Sequence, residues 1–397
     1  MTTPVYLDYN ATTPVDPAIL DAMLPYFSRD FGNAASIHTF GQKSRGAVET
    51  AREQVASLIK AQPQEIIFTS GGTESDNHAL FGMFDPGDYT KINLISSTIE
   101  HEAVLNACQH LAQRGVAVHY LPVNRDGQIN PDELRATLAA QPTTTLISVM
   151  HANNELGTIQ PLKEIGSIAA AAAADVYFHT DAVQSAGKIP IDVNALAVDL
   201  LSMSAHKLYG PKGIGALYIR TGTPLKQFFY GGHHQRGFRP GTENVAGIVG
   251  LGKAADLARQ FLTEDAARVS ALRDQLERTL LQRVPQSRVN AASAPRTTNT
   301  SNIFFPGVDG EALLIALDLK GLACSSGSAC SSGAVEPSHV LTAIGLPATE
   351  ARSSLRFSLG RHTTRAEIDF ALRIIPQTVE QLRALSPTYR KELTANL

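Results

Sequence analysis

Seven short apolar runs between residues 65 and 220 constrain the fold of this chain more than any other feature. They lie at residues 66–68, 92–95, 116–121, 145–149, 176–178, 200–203 and 216–219. Helical patterns, such as those at residues 102–114 and 162–174, fall between most of these runs. Continuous apolar runs separated by helices are typical of a largely parallel sheet that is covered on both faces. The sequence therefore predicts an α/β fold for this part of the chain.

The rest of the chain favours a second domain. A helical pattern without proline or glycine covers residues 253–283, and it is long enough to bridge two domains. A loop rich in small and polar residues follows at residues 290–302, and a last helical pattern covers residues 364–385. With 397 residues, of which 43% are hydrophobic, the chain is long enough to fill two cores.

Charge and cysteine content limit the classes of partner. The net charge is −3, and lysine and arginine are scattered, so we expect neither a nucleic-acid surface nor a membrane-binding stripe. The first residues lack the basic and apolar regions of a secretory signal, and no run approaches the length of a membrane span. Three cysteines, Cys108, Cys324 and Cys330, are too few for a disulfide framework. These features predict a cytoplasmic protein that acts on small molecules.

A lysine in a glycine-flanked turn is the first candidate for chemistry. Lys207 lies within residues 204–213, after an apolar run. An amine that forms a Schiff base with an aldehyde needs a fixed position and surroundings that lower its pKa, and pyridoxal 5'-phosphate (PLP) is the usual aldehyde. PLP also needs an acidic partner for its pyridine nitrogen and a cradle for its phosphate. A solvated surface lysine is the alternative interpretation, and Lys212 competes for the same role.

A phosphate site is predicted where the first apolar run meets a pair of glycines. Gly71 and Gly72 separate this strand from a helix that begins at about Thr73. The free backbone amides and the dipole of a helix N-terminus bind anions, and the Thr73 hydroxyl could add a further donor. The alternative is an ordinary strand-to-helix turn in which Thr73 or Ser75 caps the helix.

An acidic residue follows the apolar run at residues 176–178. Asp181 lies at the edge of the sheet where open α/β folds bind their ligands. Its carboxylate could keep a pyridine nitrogen protonated, so that the ring draws electrons from the substrate. Asp181 precedes Lys207 by 26 residues, which leaves room for one further strand, so the two side chains could meet at adjacent strand ends. Capping of the next turn is the alternative role.

Two further polar residues also follow predicted strands. Asn154 comes after the run at residues 145–149 and could donate to an oxygen of the cofactor or to a substrate carboxylate. His101 could stack on a cofactor ring. The alternatives are a plain turn for Asn154 and a polar surface role for His101.

A loop of small residues carries a candidate nucleophile. Residues 324–333 contain only serine, glycine, alanine and cysteine, so they can bury little surface and predict a mobile loop. A thiol on such a loop, Cys330, could attack a substrate atom and then carry the product group elsewhere. A buried, inert Cys330 is the alternative. Cys324 and Cys330 have no second cysteine pair, so we expect no metal.

A residue that can bind a carboxylate occurs in a short predicted strand at residues 353–360. The guanidinium of Arg356 offers a fork of donors that suits the α-carboxylate of an amino acid. Arg352 and Arg361 are alternatives for this role. An exposed strand arginine without function is the remaining interpretation.

Motifs along nearly the whole chain resemble the NifS/IscS-type (group I) cysteine desulfurases of the fold-type I aminotransferase superfamily. They occur in family order at residues 6–13 (YLDYNATT), 70–75 (SGGTES), 99–104 (IEHEAV), 153–158 (NNELGT), 179–185 (HTDAVQS), 204–213 (SAHKLYGPKG), 238–245 (FRPGTENV), 325–333 (SSGSACSSG), 336–341 (EPSHVL) and 353–364 (SSLRFSLGRHTT). The resemblance implies a fold-type I PLP-dependent transferase with a mostly parallel seven-stranded sheet. It also implies a large PLP-binding domain at residues 15–255. A smaller α+β domain, formed by residues 1–14 and 256–397, would carry the Cys330 loop.

The resemblance assigns roles around the cofactor ring. Lys207 would form the Schiff base with PLP, Asp181 would pair with the pyridinium, and His101 would stack on the ring. Contacts to the ring oxygen would come from Asn154 and Gln184.

The resemblance also assigns the phosphate and substrate contacts. The phosphate would be bound by Gly72, Thr73, Ser204 and His206. Thr242 would reach the phosphate of the other subunit, so the family implies a homodimer. Arg356, together with Asn154, would hold the substrate carboxylate, and Cys330 would be the nucleophile.

The reaction that the resemblance implies is the conversion of L-cysteine into L-alanine. Lys207 would remove the α-proton, and the Cys330 thiolate would attack the substrate sulfur to give an enzyme persulfide. The sulfur would then pass to an iron–sulfur scaffold protein or another acceptor, for cluster assembly or tRNA thiolation. The long Gly/Ser loop suits direct transfer to a scaffold.

Two departures from the family pattern and three rival functions stay open. Residues 231–237 are GGHHQRG where the family usually has GGGQERG, and Cys324 is a second thiol that could form a disulfide with Cys330. The first rival is an aminotransferase, which would use Lys207 and Asp181 without needing Cys330. The second is a selenocysteine lyase, and the third is a non-catalytic adaptor with the same fold.

Overall fold

A computed structural model describes residues 4–84, 89, 92–140, 144–172, 175–326 and 337–385. Its strands are β1 (Val5–Tyr6), β2 (Ile66–Thr69), β3 (Ile92–Ser97), β4 (Val118–Leu121), β5 (Thr144–Ser148), β6 (Val176–Asp181), β7 (Leu200–Ser204), β8 (Gly215–Ile219), β9 (Arg288–Val289), β10 (Thr300–Phe304), β11 (Leu322–Ala323) and β12 (Ser354–Ser358). Its helices are α1 (Pro17–Met23), α2 (Pro25–Ser28), α3 (Thr39–Ile59), α4 (Gly72–Phe81), α5 (Glu102–Gln113), α6 (Pro131–Ala139), α7 (Leu162–Ala170), α8 (Val245–Arg283), α9 (Gly310–Asp318), α10 (His339–Ala343), α11 (Ala348–Arg352) and α12 (Arg365–Leu385).

Seven strands form one sheet in the order β2-β8-β7-β6-β5-β3-β4. The strands from β7 to β4 pair in parallel, whereas β8 runs antiparallel to both of its neighbours. Successive residues of β5, Leu146 and Ile147, belong to two different apolar clusters, so both faces of the sheet are buried. Each strand overlaps one of the apolar runs in the sequence. The predicted α/β fold with a mostly parallel seven-stranded sheet is therefore confirmed.

Helix α8 begins at Val245, earlier than the predicted start at residue 253. Glycines in its first turns weaken the helical pattern in the sequence. Close packing explains two of them. A Cβ at Gly252 would lie 2.5 Å from Cα of Ala51 in α3, and a Cβ at Gly250 would lie 2.7 Å from Sδ of Met23 in α1. These glycines let α8 approach two other helices closely, which local helix propensity does not reveal.

The C-terminal half of the chain builds a second apolar core. Strands β12, β10 and β9 form an antiparallel sheet, and β1 pairs in parallel with β11, which attaches the N-terminal strand to this half. The last turns of α8 contribute Leu276 and Leu280 to this core, while its first turns contribute Ile248 and Leu251 to the core under the large sheet. Helix α8 thus connects two cores. The domain boundaries at residues 15–255, 1–14 and 256–397 stay a prediction.

Cys108 and Cys324 are the cysteines that lie within the described residues. Cys108 is buried within α5, and Cys324 follows β11. Burial raises the pKa of each thiol to about 12. Cys330, the predicted nucleophile, lies outside the described residues. None of the described helices is both long and apolar enough to cross a bilayer.

Candidate active site

The carboxyl ends of β6 and β7 bring two predicted site residues together. Asp181 is the last residue of β6, and β7 leads through the 3-10 turn Ala205–Lys207 to Lys207. The two strands are neighbours, and Asp181 pairs with Ser202 of β7. The structure therefore places Asp181 and Lys207 at adjacent strand ends, as their spacing in the sequence predicted.

The amine of Lys207 is held against the N-terminal segment. Its Nζ donates to the carbonyl oxygens of Asn10 and Ala11, the latter at 2.8 Å. Burial, and then the charge of Arg356, lower the pKa of Lys207 to about 8, against an opposing effect of Asp181. A larger fraction of the amine is therefore unprotonated near neutral pH, which an attack on an aldehyde requires. The competing Lys212 is exposed to solvent.

The carboxyl group of Asp181 lies in a buried position, with the residue 6% exposed. Its Oδ1 accepts a hydrogen bond from the backbone N–H of Val183 at 2.8 Å. Burial raises the pKa of Asp181, and the nearby His101 and Lys207 oppose that shift. A further cation placed against this carboxyl group would favour its ionised form, which is the relation that a pyridinium nitrogen needs.

The N-terminus of α4 offers an anion-binding cradle beside these residues. The N-cap residue, Gly71, provides no side-chain hydrogen bond to the first turn. A Cβ at Gly72 would lie 2.7 Å from Cγ2 of Val183, so only glycine lets this turn approach the end of β6. Ser204, at the end of β7, is buried close to Gly71, whereas Thr73 is exposed at the helix start. The uncapped amides and the helix dipole suit a phosphate group.

Two other predicted phosphate ligands have different surroundings. The Nδ1 atom of His206 lies 3.2 Å from Oγ1 of Thr12. Burial, and then the charge of Lys207, lower the pKa of His206 to about 4, so its ring is neutral at pH 7 and can serve as a hydrogen-bond donor or acceptor. Thr242 is exposed on the surface of the single chain.

His101 is the N-cap residue of α5, and this role sets its tautomer. Its Nδ1 accepts a hydrogen bond from the backbone N–H of Ala103 at 3.1 Å. The proton of the neutral ring must then lie on Nε2. His101 and Thr73 line the same open cavity of about 490 Å³. His101 is therefore an exposed residue at a helix start, and it also lies beside the anion-binding N-terminus of α4.

A buried guanidinium lies close enough to Lys207 for its charge to act on the amine. Arg356 in β12 is 5% exposed, and it donates to Oδ1 of Asp8 at 2.7 Å and to the carbonyl oxygen of Asn154 at 3.1 Å. Its Nε is buried and has no hydrogen-bond partner among the described residues. The alternative Arg352 is exposed, whereas Arg361 donates to Asp265 at 2.6 Å.

The chain segments on both sides of the predicted Cys330 loop attach to the site. Ser325 exchanges two backbone hydrogen bonds with Arg356, at 3.1 and 2.6 Å. Beyond the loop, Ser338 donates to the buried carboxylate of Glu155 at 2.6 Å, and Nε2 of His339 lies 3.0 Å from the carbonyl oxygen of Glu100. Glu155 and Glu100 directly follow and precede Asn154 and His101 in the sequence.

Sequence reasoning missed the polar network behind Lys207. Nε2 of Gln184 donates to the Asn10 carbonyl oxygen at 3.0 Å, although we expected this amide to face a cofactor oxygen. Lys188 donates to Oε1 of Gln184, again at 3.0 Å. The sequence did contain a signal for this contact. Lys188 comes just after the motif at residues 179–185, one turn beyond Gln184.

These groups fit PLP by their chemistry. An amine of lowered pKa, a buried carboxyl group and an uncapped helix N-terminus match the aldehyde, the ring nitrogen and the phosphate of this cofactor. The guanidinium of Arg356 has the charge and the fork of donors that suit the carboxylate of an amino acid.

Comparisons with known proteins agree with this geometry. The sequence profile of the aminotransferase class-V family matches residues 5–370. A protein named cysteine desulfurase IscS from Dictyoglomus turgidum is 47% identical over 392 residues, which cover 99% of this chain and 98% of that protein. A solved NifS-like protein has a TM-score of 0.88 and 36% identity, and the match covers 96% of this chain and all of that one. The structure of SspA in complex with cysteine has a TM-score of 0.79 and 37% identity, with 91% and 100% coverage. This chain therefore belongs to the aminotransferase class-V family.

Proposed function

We propose that this protein is a PLP-dependent cysteine desulfurase, which converts L-cysteine into L-alanine and transfers the sulfur to Cys330. The observation that carries this proposal is the position of Lys207 and Asp181 at adjacent strand ends, with the Arg356 guanidinium close enough to lower the pKa of the amine. Relatives that carry the name cysteine desulfurase support the same reaction. The bound cysteine in the SspA structure supports the choice of substrate.

The residues of the site would hold the cofactor at three points. Lys207 would bind its aldehyde carbon, Asp181 would keep a proton on its ring nitrogen, and the amides of α4 would bind its phosphate, with Gly72, Thr73, Ser204 and His206 around it. His101 would lie over the ring, and Asn154 and Gln184 would contact the ring oxygen. When bound, PLP supplies a protonated ring that withdraws electrons from the substrate α-carbon.

The substrate would be bound and deprotonated by two basic groups. Arg356, with Asn154 beside it, would hold the α-carboxylate. The Lys207 amine would take the proton from the α-carbon, a role that its pKa of about 8 favours, since an unprotonated amine is needed.

Sulfur transfer would then use the Cys330 thiolate. The thiolate attacks the substrate sulfur, so one sulfur–sulfur bond forms and the carbon–sulfur bond breaks. The electron pair of the broken bond goes to the substrate carbon, which takes up a proton, and the products are L-alanine and a persulfide on Cys330. The chain attachments at Ser325 and Ser338 support this role, because they keep both sides of the loop beside the site.

We extend the proposal to the assembly of the protein. Two subunits would form a homodimer in which Thr242 of each chain reaches the phosphate in the other site, and its exposure in the single chain is consistent with this role.

The persulfide sulfur would pass to an iron–sulfur scaffold protein or to another acceptor, such as a tRNA-thiolating protein, in the cytoplasm. The apolar core of the C-terminal half shares no buried residue with the core under the large sheet, which supports a large domain at residues 15–255 and a smaller one formed by the remaining chain.

Replacement of the proposed nucleophile tests the reaction class. Cys330→Ser removes the thiol, so alanine formation from L-cysteine should fall by at least about a hundredfold, as expected when a nucleophile is lost. Cys324→Ala is the matched control and should keep its activity. Mass spectrometry after brief exposure of the wild type to cysteine should find one extra sulfur atom on Cys330.

Three results would point to the rival functions. Unimpaired alanine formation by Cys330→Ser would favour a selenocysteine lyase, which depends less on a thiol. A wild-type holoprotein that forms no alanine from cysteine would favour an aminotransferase. A wild-type protein that binds no PLP would favour a non-catalytic adaptor.

A further inference from the structure

A second lysine lies behind the predicted cofactor lysine. Lys188 lines the same cavity as Lys207, in the turn that follows β6. Its Nζ donates to Oε1 of Gln184 at 3.0 Å and to Oδ1 of Asn10 at 3.4 Å. Burial, and then the charges of Lys207 and Arg356, lower the pKa of Lys188 to about 7. Both of its forms carry N–H donors, so these hydrogen bonds persist on either side of that pH.

The lysine favours one orientation of the Gln184 amide. In its ammonium form it can only donate hydrogen bonds, so the oxygen of the amide faces Lys188. The Nε2 atom then lies on the opposite edge, where one of its two hydrogens is donated to the Asn10 carbonyl oxygen at 3.0 Å. The second hydrogen is left for a further acceptor. Without Lys188, the amide would lose one of the two contacts that favour its present orientation.

The same lysine also supports the orientation of Asn10. Oδ1 of Asn10 accepts from Lys188 and from Nδ2 of Asn299, the latter at 2.9 Å. Nδ2 of Asn10 therefore faces away from both donors and contacts the Asn154 carbonyl oxygen at 3.0 Å. The main-chain carbonyl oxygen of Asn10 receives both Lys207 and Gln184. Asn10, 2% exposed, thus joins two site residues in one network.

We propose that Lys188 is a positioning residue of this active site, which acts through Gln184 by holding the N–H edge of its amide toward the cofactor. Lys188 would not bond to the cofactor itself. The inference rests on the proposed function, since it needs PLP beside Gln184. It adds a residue to the site that the predicted ligands do not include.

Retention of the cofactor tests this role without an activity assay. Holoprotein is dialysed, and the loss of PLP absorbance is followed with time. Lys188→Met should lose PLP about tenfold faster than the wild type, which corresponds to one weakened hydrogen bond near a charged group. Lys188→Arg keeps the hydrogen-bond donors and should lose PLP about as slowly as the wild type. Lys320→Met is the matched control, because Lys320 also donates to a glutamine, Gln381, at 2.7 Å, in the C-terminal half.

A double-mutant cycle with Gln184→Leu separates positioning from a general structural effect. If Lys188 acts through Gln184, then Lys188→Met should add no further loss of PLP in the Gln184→Leu background. A full additional effect in that background, or wild-type retention in Lys188→Met, overturns the inference. If Lys188→Met does not fold, Lys188→Gln replaces it. Its neutral amide can rotate, so faster PLP loss is still expected, and wild-type retention overturns the inference. A wild-type protein without bound PLP would instead contradict the proposed function.

Discussion

The active site has an acidic side and a basic side, and the two behave alike. The acidic side contains Asp76, Glu100 and Asp181, and the basic side contains Lys188, Lys207 and Arg356. Burial raises the pKa of each carboxyl group and lowers the pKa of each lysine. Asp181 and Lys207 attract each other, yet burial outweighs that attraction in both residues. Burial therefore disfavours the charged form of the three carboxyl groups and of the two lysines.

The acidic side shows the stronger departure from ordinary behaviour. Asp76 is 1% exposed, and its pKa is raised well above the usual value by burial and then by Asp181. The neighbouring His179, 3.6 Å from Oδ1 of Asp76, does not compensate, because burial lowers the pKa of His179 to about 3 and keeps it uncharged at neutral pH. A cation next to the Asp181 carboxyl group would lower the pKa of Asp181 and stabilise its ionised form.

The basic side differs because it contains its own counterion. Arg356 pairs with Asp8 at 2.7 Å, whereas the two lysines share the oxygen atoms of Asn10. A ligand carboxylate would add a second negative charge here. The comparison indicates that the site is built to take a ligand with a cationic ring nitrogen at one end and anionic groups at the other.

The largest effect should come from neutralising the acidic side. Asp181→Asn keeps the shape of the side chain but cannot hold a proton on the ring nitrogen, so kcat for alanine formation should fall by about a hundredfold. Asp199→Asn is the control, because Asp199 accepts from Phe178 at the opposite edge of the same sheet. Equal kcat values for Asp181→Asn and the wild type would contradict the role of the acidic side.

A smaller effect is expected on the basic side. Arg356→Gln removes the charged donors for the substrate carboxylate, so KM for cysteine should rise by about 10- to 100-fold, with a smaller change in kcat. The same change should move the pKa of Lys207 upward, since Arg356 lowers it. Arg352→Gln, at an exposed position, should leave KM unchanged. A loss confined to kcat would place Arg356 outside the carboxylate site.

The smallest effect concerns stability rather than rate. Burial raises the pKa of Glu100 from 4.5 in the unfolded chain to about 8, so its contribution to stability is full below pH 4.5 and declines as the pH rises to 8. Glu100→Gln removes that decline. Relative to the wild type, the variant should gain about 3–4 kcal/mol between pH 5 and pH 8.

Urea unfolding at the two pH values measures this gain. The exposed Glu102→Gln serves as the control and should show no such gain. A constant difference between Glu100→Gln and the wild type at both pH values would show that Glu100 is already ionised in the folded protein.

Local patterns in the sequence predicted the sheet and much of the site. The apolar runs match the strands because fully buried strands need continuous apolar residues. Asp181 and Lys207 were predictable because parallel strands bring their carboxyl ends to one edge. The start of α8 could not be predicted, because glycines weaken the helical pattern there. Gly250 and Gly252 are explained only by contacts with other helices, which local sequence does not reveal.

The network around Lys188 could not be predicted from local sequence. Lys188 and Asn10 are separated by 178 positions, and their contact depends on how the N-terminal segment crosses the site. The lowered pKa of Lys188 also depends on burial, which a sequence motif does not specify. The two buried carboxyl groups near Asp181 were missed for the same reason, since Asp76 and Glu100 lie on other elements.

The choice between the two buried lysines tests the account most directly. Borohydride reduction of the holoprotein fixes PLP to the lysine that holds it, and peptide mass spectrometry then locates the added mass. The account predicts the reduced cofactor on Lys207, beside Asp181, and none on Lys188. Modification of Lys188 or Lys212, or of no lysine at all, would contradict it.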